Sequence, residues 1–237
     1  MMPNARMVAL ALLAAGTAAC AASPAAAGSF QIDPVKVEIS ADRKIATIKV
    51  KNQADTPVTV RGYALRWTQE NGQDAYTQVQ NVIVSPPIST IPAGATQLMR
   101  VGLRSASPGA YRLIVEEVPQ ANPGSGVQVA LRMDLPLFAS LKEGTLSDLS
   151  WHAWKSSDGK WLLEAKNNGA GYVRVDAAAA SRQTGLALDT KGTLGTVLTN
   201  SSRRWPLGAA PHIIDRSVFE RIARTASVAE KKSASAQ

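Results

Sequence analysis

Residues 127–138 read VQVALRMDLPLF. Val127, Val129, Leu131, Met133 and Leu135 fall at every second position, with Gln128, Ala130, Arg132, Asp134 and Pro136 between them. Period two marks a β-strand with one apolar face and one wetter face. Pro136 has no N–H to give to a ladder, which predicts an edge strand. An edge with a row of apolar side chains invites association. Burying one such side chain is worth about 1.5–3 kcal/mol, so five carry a gross term of roughly 8–15 kcal/mol. Association costs of about 4–15 kcal/mol offset much of that. Alternation alone leaves two readings open: the row packs on its own domain's core, or it meets a partner.

The surrounding chain reads as all-β. VKVEIS (35–40), KIATIKVKN (44–52), VTVRGYALRW (58–67), YTQVQNVIV (76–84), TQLMRVGLR (96–104), AYRLIVEEV (110–118) and the opening stretch are rich in Val, Ile, Leu and Tyr. Turn clusters separate them: SADR, NQADTP, ENGQD, SPPISTIPAG, SASPG and PQANPGSG. Seven short strands at this spacing predict an immunoglobulin-like sandwich over 28–141. KEGTLSD (142–148) reads as a polar hinge. LSWHAW, KWLLEAKNNG, GYVRVDAAAA, LALDTKGTL and SSRRWPL then read as further short strands, giving a second, smaller sandwich over 142–224. The polar tail 225–237, TASVAEKKSASAQ, is expected to be disordered.

The first 27 residues read as a secretory signal peptide. Arg6 supplies the positive n-region, and the apolar run is too short to span a bilayer. Ala25 and Ala27 form an A-x-A cleavage site, with a cut after Ala22 as the alternative. Cys20 is the one cysteine, and lipidation there is the rival reading, with Thr17 standing where an aliphatic residue is usual. No second long apolar run follows, which predicts an exported chain without membrane insertion.

Composition argues against several chemistries. The net charge is +8, yet no run of five or six basic residues and no aromatic-rich basic segment points to nucleic acid. His152 and His212 lack ligand-spaced partners, so no metal is expected. No G-x-S-x-G, H-E-x-x-H, G-x-G-x-x-G or P-loop occurs. Glu116 and Glu117 are adjacent, and on a strand they point to opposite faces, which does not suit an acid/base pair. No catalytic residue and no cofactor are expected.

The order of features resembles the periplasmic chaperones of the chaperone–usher pilus pathway, the PapD-like superfamily. FQIDPVKVEIS is similar to their first strand, KNQADTPVTVRGYALRWTQENG to their Asn…Pro…Trp…Gly segment, and VSPPISTIPAGATQLMRVGLR to their Pro-Pro…Arg block. YRLIVEEVP, VQVALRMDLPLF, WLLEAKNNGAGYVRV and SSRRWPL continue the series, so the likeness spans about 30–207. The resemblance implies two immunoglobulin-like domains in an L, with a cleft between them. It implies stabilisation of pilus subunits without ATP and their delivery to an outer-membrane usher. It also implies that Val127, Val129, Leu131, Met133 and Leu135 lend a strand to the subunit. Adding an extended segment to an exposed sheet edge is a general recognition mode, of which chaperone–pilin pairs are a known instance. Self-association through the same edge is open to the free protein.

One departure stands out. The family anchors the subunit's C-terminal carboxylate with two basic residues. The first-strand position falls on Lys36; the last-strand lysine has become Pro136, with Asp134 nearby. A branch of the family with Leu-Pro-x-Phe at this point is the better likeness. Arg132, Arg104, Arg112 and Arg100 are the other candidate anchors, because a planar guanidinium can grip a carboxylate bidentately. A rival from another class is an exported adhesion or carbohydrate-binding module, with Trp151, Trp154 and Trp161 as a sugar platform. Trp151 and Trp154 are three apart and should face opposite sides of a strand.

Overall fold

The computed structural model describes residues 30–40, 42–105, 107–119, 129–188 and 193–223. The leader at 1–27, Val127 and the tail 225–237 lie outside these residues.

Ten strands build the N-terminal unit: β1 (Phe30–Asp33), β2 (Val37–Ile39), β3 (Ile45–Asn52), β4 (Val58–Glu70), β5 (Gln73–Gln78), β6 (Val82–Ser85), β7 (Ile88–Ile91), β8 (Thr96–Leu103), β9 (Gly109–Glu117) and β10 (Arg132–Ala139). They form two sheets. One has the order β1-β3-β8-β6; the other has β2-β10-β9-β4-β5, with β7 also on β4. Alternation decides which side chains meet between them. Ile48 and Val50 of β3 are fully buried while Lys49 and Lys51 point out. Met99 and Val101 join them from one side, and Val60, Tyr111, Leu113, Val115, Leu135 and Leu137 from the other, in one core. Gly62 marks a close approach between the sheets. A Cβ on it would lie 2.6 Å from the Met99 methyl carbon.

Two sequence expectations are corrected in this unit. The run 76–84 is not one strand but the end of β5 and the start of β6. Between Gln78 and Val82 the chain crosses from one sheet to the other. The cluster SPPISTIPAG is not all turn. Pro86 and Pro87 break the chain, but Ile88–Ile91 then pairs with Arg61–Val58 of β4. Four residues inside a proline-rich stretch give too short an alternation to stand out.

Asn52 shows how the turns are pinned. It is fully buried, and its Nδ2 donates to the carbonyls of Thr56 (2.8 Å) and Ile91 (3.0 Å) while its Oδ1 accepts from Ala54 N–H (2.9 Å). Asn167 repeats the device in the second unit, donating to Gly171 (2.7 Å) and Val197 (3.1 Å) and accepting from Gly169 N–H (2.8 Å).

The second unit contains β11 (Leu149–Lys155), β12 (Trp161–Asn167), β13 (Val173–Asp176), helix α1 (Ala177–Thr184), β14 (Thr193–Val197) and β15 (Ser202–Gly208), followed by a helix α2 over 216–223. β11-β12-β15 form one sheet and β13-β14 the other, over a core that includes Ala153, Leu163, Val175, Val197 and Phe219. The expectation of a strand through GYVRVDAAAA is half corrected. Asp176 ends β13 and caps α1, its Oδ1 accepting from Ala179 N–H at 2.8 Å. The alanines that follow have the highest helix propensity of any residue. Gly185, at φ 69°, closes the helix. LALDTKGTL is likewise not one strand: Leu186 makes an isolated bridge to Ile213, and β14 begins at Thr193. The fold is all-β, two immunoglobulin-like sandwiches, with these helices as additions to the second.

Candidate functional site

β10 has two different neighbours along its length. On one side it pairs antiparallel with β9 throughout, from Arg132 opposite Glu116 to Ala139 opposite Gly109. On the other side β2 pairs with it, parallel, at Leu137, Phe138 and Ala139. Among the described residues, Arg132–Pro136 therefore has no strand on that side. The edge expected from Pro136 is an edge for part of the strand and interior for the rest.

Hydrogen-bond parity fixes what the open part presents. Glu117 N–H donates to Leu131 C=O (2.8 Å), so odd-numbered backbone groups face β9. Ser140 N–H donates to Ile39 C=O (2.7 Å), so even-numbered groups face β2 and, above it, the open side. The N–H groups of Arg132 and Asp134 thus point outward from the edge. Pro136 sits where the next would be.

The apolar row is graded. Val129 is 62% exposed, Leu131 and Met133 are half-buried against the core, and Leu135 and Leu137 are 3% and 0% exposed. Leu135 already fills the chain's own core. The side chains with area left to bury are Val129, Leu131 and Met133.

The even-numbered side chains lie on the outer face of the sheet. Arg132 meets Glu116 at 3.5 Å. Glu116 also takes Arg61 and the Tyr63 hydroxyl (3.1 Å). The Arg61 hydrogen bond, with Tyr63 and Arg132 adding to it against burial, holds the Glu116 carboxyl below its ordinary range. Arg112 lies over the Trp67 ring, 3.9 Å from its centroid, with Asp134 at 3.6 Å. Its Nε is buried without a hydrogen-bond partner. Glu116 and Glu117 do take opposite faces: Glu117 reaches back to Leu131 N–H at 3.4 Å.

Below the open edge the two units are joined by a buried aromatic stack. Trp67, Phe138 and Tyr172 are each no more than 1% exposed, with Ala110 and Leu198 beside them. Phe138 and Tyr172 are parallel, centroids 3.5 Å apart. One flank is ionic: Lys36 Nζ lies 2.9 Å from Glu38, 3.4 Å from Glu143 and 3.4 Å from the Tyr172 hydroxyl, and Arg174 pairs with Glu143 at 2.8 Å. The hydrogen bond to Glu38 raises the Lys36 ammonium above its usual value, against the pull of burial. Lys36 in turn lowers Glu38. Burial opposes ionisation of Glu143, but Arg174 and Lys36 outweigh it and lower that carboxyl too. Burial pushes the Tyr172 hydroxyl up to about 12. On the other flank Arg203 Nη1 contacts both Asp74 oxygens (3.1 and 2.9 Å), and Trp67 Nε1 donates to Asp74 (2.9 Å). Gln69 donates to Thr196 C=O (2.7 Å) and accepts from Leu198 N–H (2.9 Å). The stretch expected as a hinge is stitched down: Tyr172 N–H donates to Lys142 C=O (3.1 Å) and Gly144 N–H to Tyr172 C=O (2.8 Å).

The candidate anchors therefore separate. Lys36 and Arg112 flank the same aromatic stack, and Arg132 lies higher on the same sheet. Arg100 points out from the four-stranded sheet, on the opposite side of the sandwich, between Thr47 and Ser85. Arg104 donates to Gln80 C=O at 3.0 Å beyond the end of β8. Sequence reasoning gave no role to Trp67, Phe138, Tyr172, Asp74 or Arg203. Phe138 carried a signal: it has the parity opposite to the apolar row, so a large ring was bound to face the other side.

The tryptophans do not form an open platform. Trp151 is 8% exposed and stacks near Trp205, Trp161 packs edge-on to Phe219, and Trp154 lies under Arg204. Trp151 and Trp154 face opposite sides, as their spacing requires. Among the described residues no cluster of His, Cys, Asp and Glu could hold a metal ion, and no helix is long and apolar enough to cross a membrane.

Comparison with known proteins agrees with this geometry. Residues 29–140 match the family model "Pili and flagellar-assembly chaperone, PapD N-terminal domain". No curated protein matches the chain. Among solved structures, a chain of the CsuC–CsuE chaperone–tip adhesion subunit pre-assembly complex, from archaic chaperone–usher Csu pili of Acinetobacter baumannii, is 26% identical with TM-score 0.61, covering 75% of this chain and 86% of that one. The E. coli chaperone DraB (17% identical, TM-score 0.53, 76% and 86% covered) shares the fold. So does a chain of the Salmonella enterica SafA pilin–SafB chaperone complex (14%, 0.51, 78% and 92%). Residues 29–140 thus carry a PapD-type N-terminal domain of the pili and flagellar-assembly chaperones, and the two sandwiches together resemble a PapD-like pilus chaperone.

Proposed function

We propose that this protein binds pilus subunits in the periplasm by adding its open β10 edge to a subunit's incomplete sandwich, and then passes them to an outer-membrane usher. The observation that carries the reading is the half-free strand. Arg132 and Asp134 offer outward N–H groups, and Val129, Leu131 and Met133 leave apolar area uncovered along the same segment. Val129 at about 1.5–3 kcal/mol, with the half-buried Leu131 and Met133 at about half of that each, gives a gross term of roughly 3–6 kcal/mol. That only reaches the low end of the cost of association, so the backbone bonds and an anchor must supply the rest. Val127 belongs to the same alternation, and Leu135 stays in the chain's own core as the foot of the row. The exported location rests on the leader-like sequence at 1–27.

Leu131→Glu and Val129→Glu test the reading. A charge driven into a dry groove is costly, while at these partly open positions the free protein tolerates it. Val129→Glu should keep the wild-type melting temperature, Leu131→Glu should stay folded with a lowered one because Leu131 is half-buried opposite Glu117, and both should fail to co-purify with pilus subunits. Normal co-purification would refute the donor-strand reading.

A further inference from the structure

The open edge does not run out gradually; it stops at Pro136. Below it, Leu137–Ala139 is taken by β2. Above it, Arg132 and Asp134 point their N–H groups into the open side, by the parity set at Glu117–Leu131 and Ser140–Ile39. Pro136 is the even-numbered position between the two segments, and it has no N–H. Its partner across β9 is Arg112, on the side where its nitrogen is not needed. The proline thus costs the sheet no β9 hydrogen bond and removes one donor from the open edge alone.

We propose that Pro136 is the register stop of this edge: it divides the segment held by β2 from the segment offered to a subunit, and so fixes where the subunit's strand must cease pairing. The inference rests on the donor-strand reading. Alternation forbids a one-residue slip, which would turn the apolar row out of the groove, but a two-residue slip keeps the side chains on the same face. A strand sliding two residues toward Phe138 would bring a carbonyl to Pro136 and find no donor. An unpaired carbonyl in a closed groove loses its hydrogen bond to water without replacement. The stop also places the end of the subunit's strand beside the Arg112–Asp134 pair and the Trp67 face, at the top of the aromatic stack.

The test uses the full chain with the pilus subunit that co-purifies with it, identified by mass spectrometry. A single cysteine at residue 132 is combined with single cysteines along the subunit's pairing strand, and disulfide yields map the register. The wild-type background should give one dominant subunit position. Pro136→Ala should move at least about a third of the yield to the position two residues away, toward Phe138. Asp134→Pro, which also spares the β9 ladder, should move it in the opposite direction and keeps the test alive if one variant folds poorly. An unchanged single position in both variants would overturn the register stop while leaving the donor strand intact. Undiminished co-purification of Leu131→Glu, or no cross-linking position in the wild-type background, would overturn the donor-strand reading and this inference together.

Discussion

The Phe138 and Tyr172 rings lie parallel with centroids 3.5 Å apart, so the foot of the half-free strand is stacked on the residue that leads into β13 of the second unit. Both are almost fully buried, and Trp67 tilts against Phe138 at 6.0 Å. The strand that offers its upper half outward is therefore held at its lower half by both units at once. Phe138→Ala should cost about 3–5 kcal/mol in urea unfolding. Tyr172→Phe keeps the stack and removes the hydroxyl shared by Lys36, Glu38 and Glu143, and should cost about 0.5–1.5 kcal/mol. Equal losses in the two variants would mean that the hydroxyl network, not the stack, holds the joint.

Asp74 and Arg203 close the other flank, with Trp67 Nε1 also on Asp74. Asp74→Ala leaves a partly buried guanidinium and an indole N–H without their acceptor. Removing one partner of a buried pair costs about 3–5 kcal/mol, and this pair keeps some solvent, so about 2–3 kcal/mol is expected. Calorimetry on the single variants and the double variant Asp74→Ala/Arg203→Met measures the coupling. Additive losses would show that the pair is not a unit.

Acid should loosen the Lys36 flank. Glu38 and Glu143 both ionise more readily in the folded chain than in the unfolded one. Their contribution is complete above the ordinary carboxyl value of about 4.5 and is lost as pH falls through the lowered folded values. In Lys36→Met the cation that lowers both carboxyls is gone. The variant should then be less stable than the wild type at pH 7 and lose less on acidification, the two curves converging toward pH 3, measured as melting temperature between pH 7 and pH 3. Superimposable curves would mean that the contacts carry no net linkage.

The same variant examines the anchor. A lone cation meeting a partly desolvated carboxylate would lose tenfold or more in affinity on removal, since 1.4 kcal/mol is a factor of ten. Lys36 is already paired with Glu38 and Glu143, so Lys36→Met should lose less than tenfold, for subunits with free and with amidated C-termini alike. A loss of tenfold or more that disappears when the C-terminus is amidated would make Lys36 the anchor after all. Arg112 and Arg132 come next.

Period-two alternation made most of the first sandwich legible, because each of its long strands has one face in a core. β7 was not legible: four residues between prolines look like a turn until β4 is seen beside them. Helix α1 was missed because VRVD before it alternates and the alanines after it have no pattern; the cap at Asp176 was the available signal. The row Val129–Leu135 was visible as a row, but its gradient was not, since burial depends on where β2 stops. The joint was the least legible part. Trp67, Asp74, Tyr172 and Arg203 come from distant segments, and no spacing rule brings them together.

The central claim is that the upper half of β10 pairs with a subunit through its outward backbone groups. Amide hydrogen exchange at Arg132 and Asp134 reads those groups directly, in the free protein and in the co-purified subunit complex. Both amides should exchange fast when the protein is free, because they face the open side, and should be strongly protected in the complex. Unchanged fast exchange at both positions in a stoichiometric complex would contradict the account.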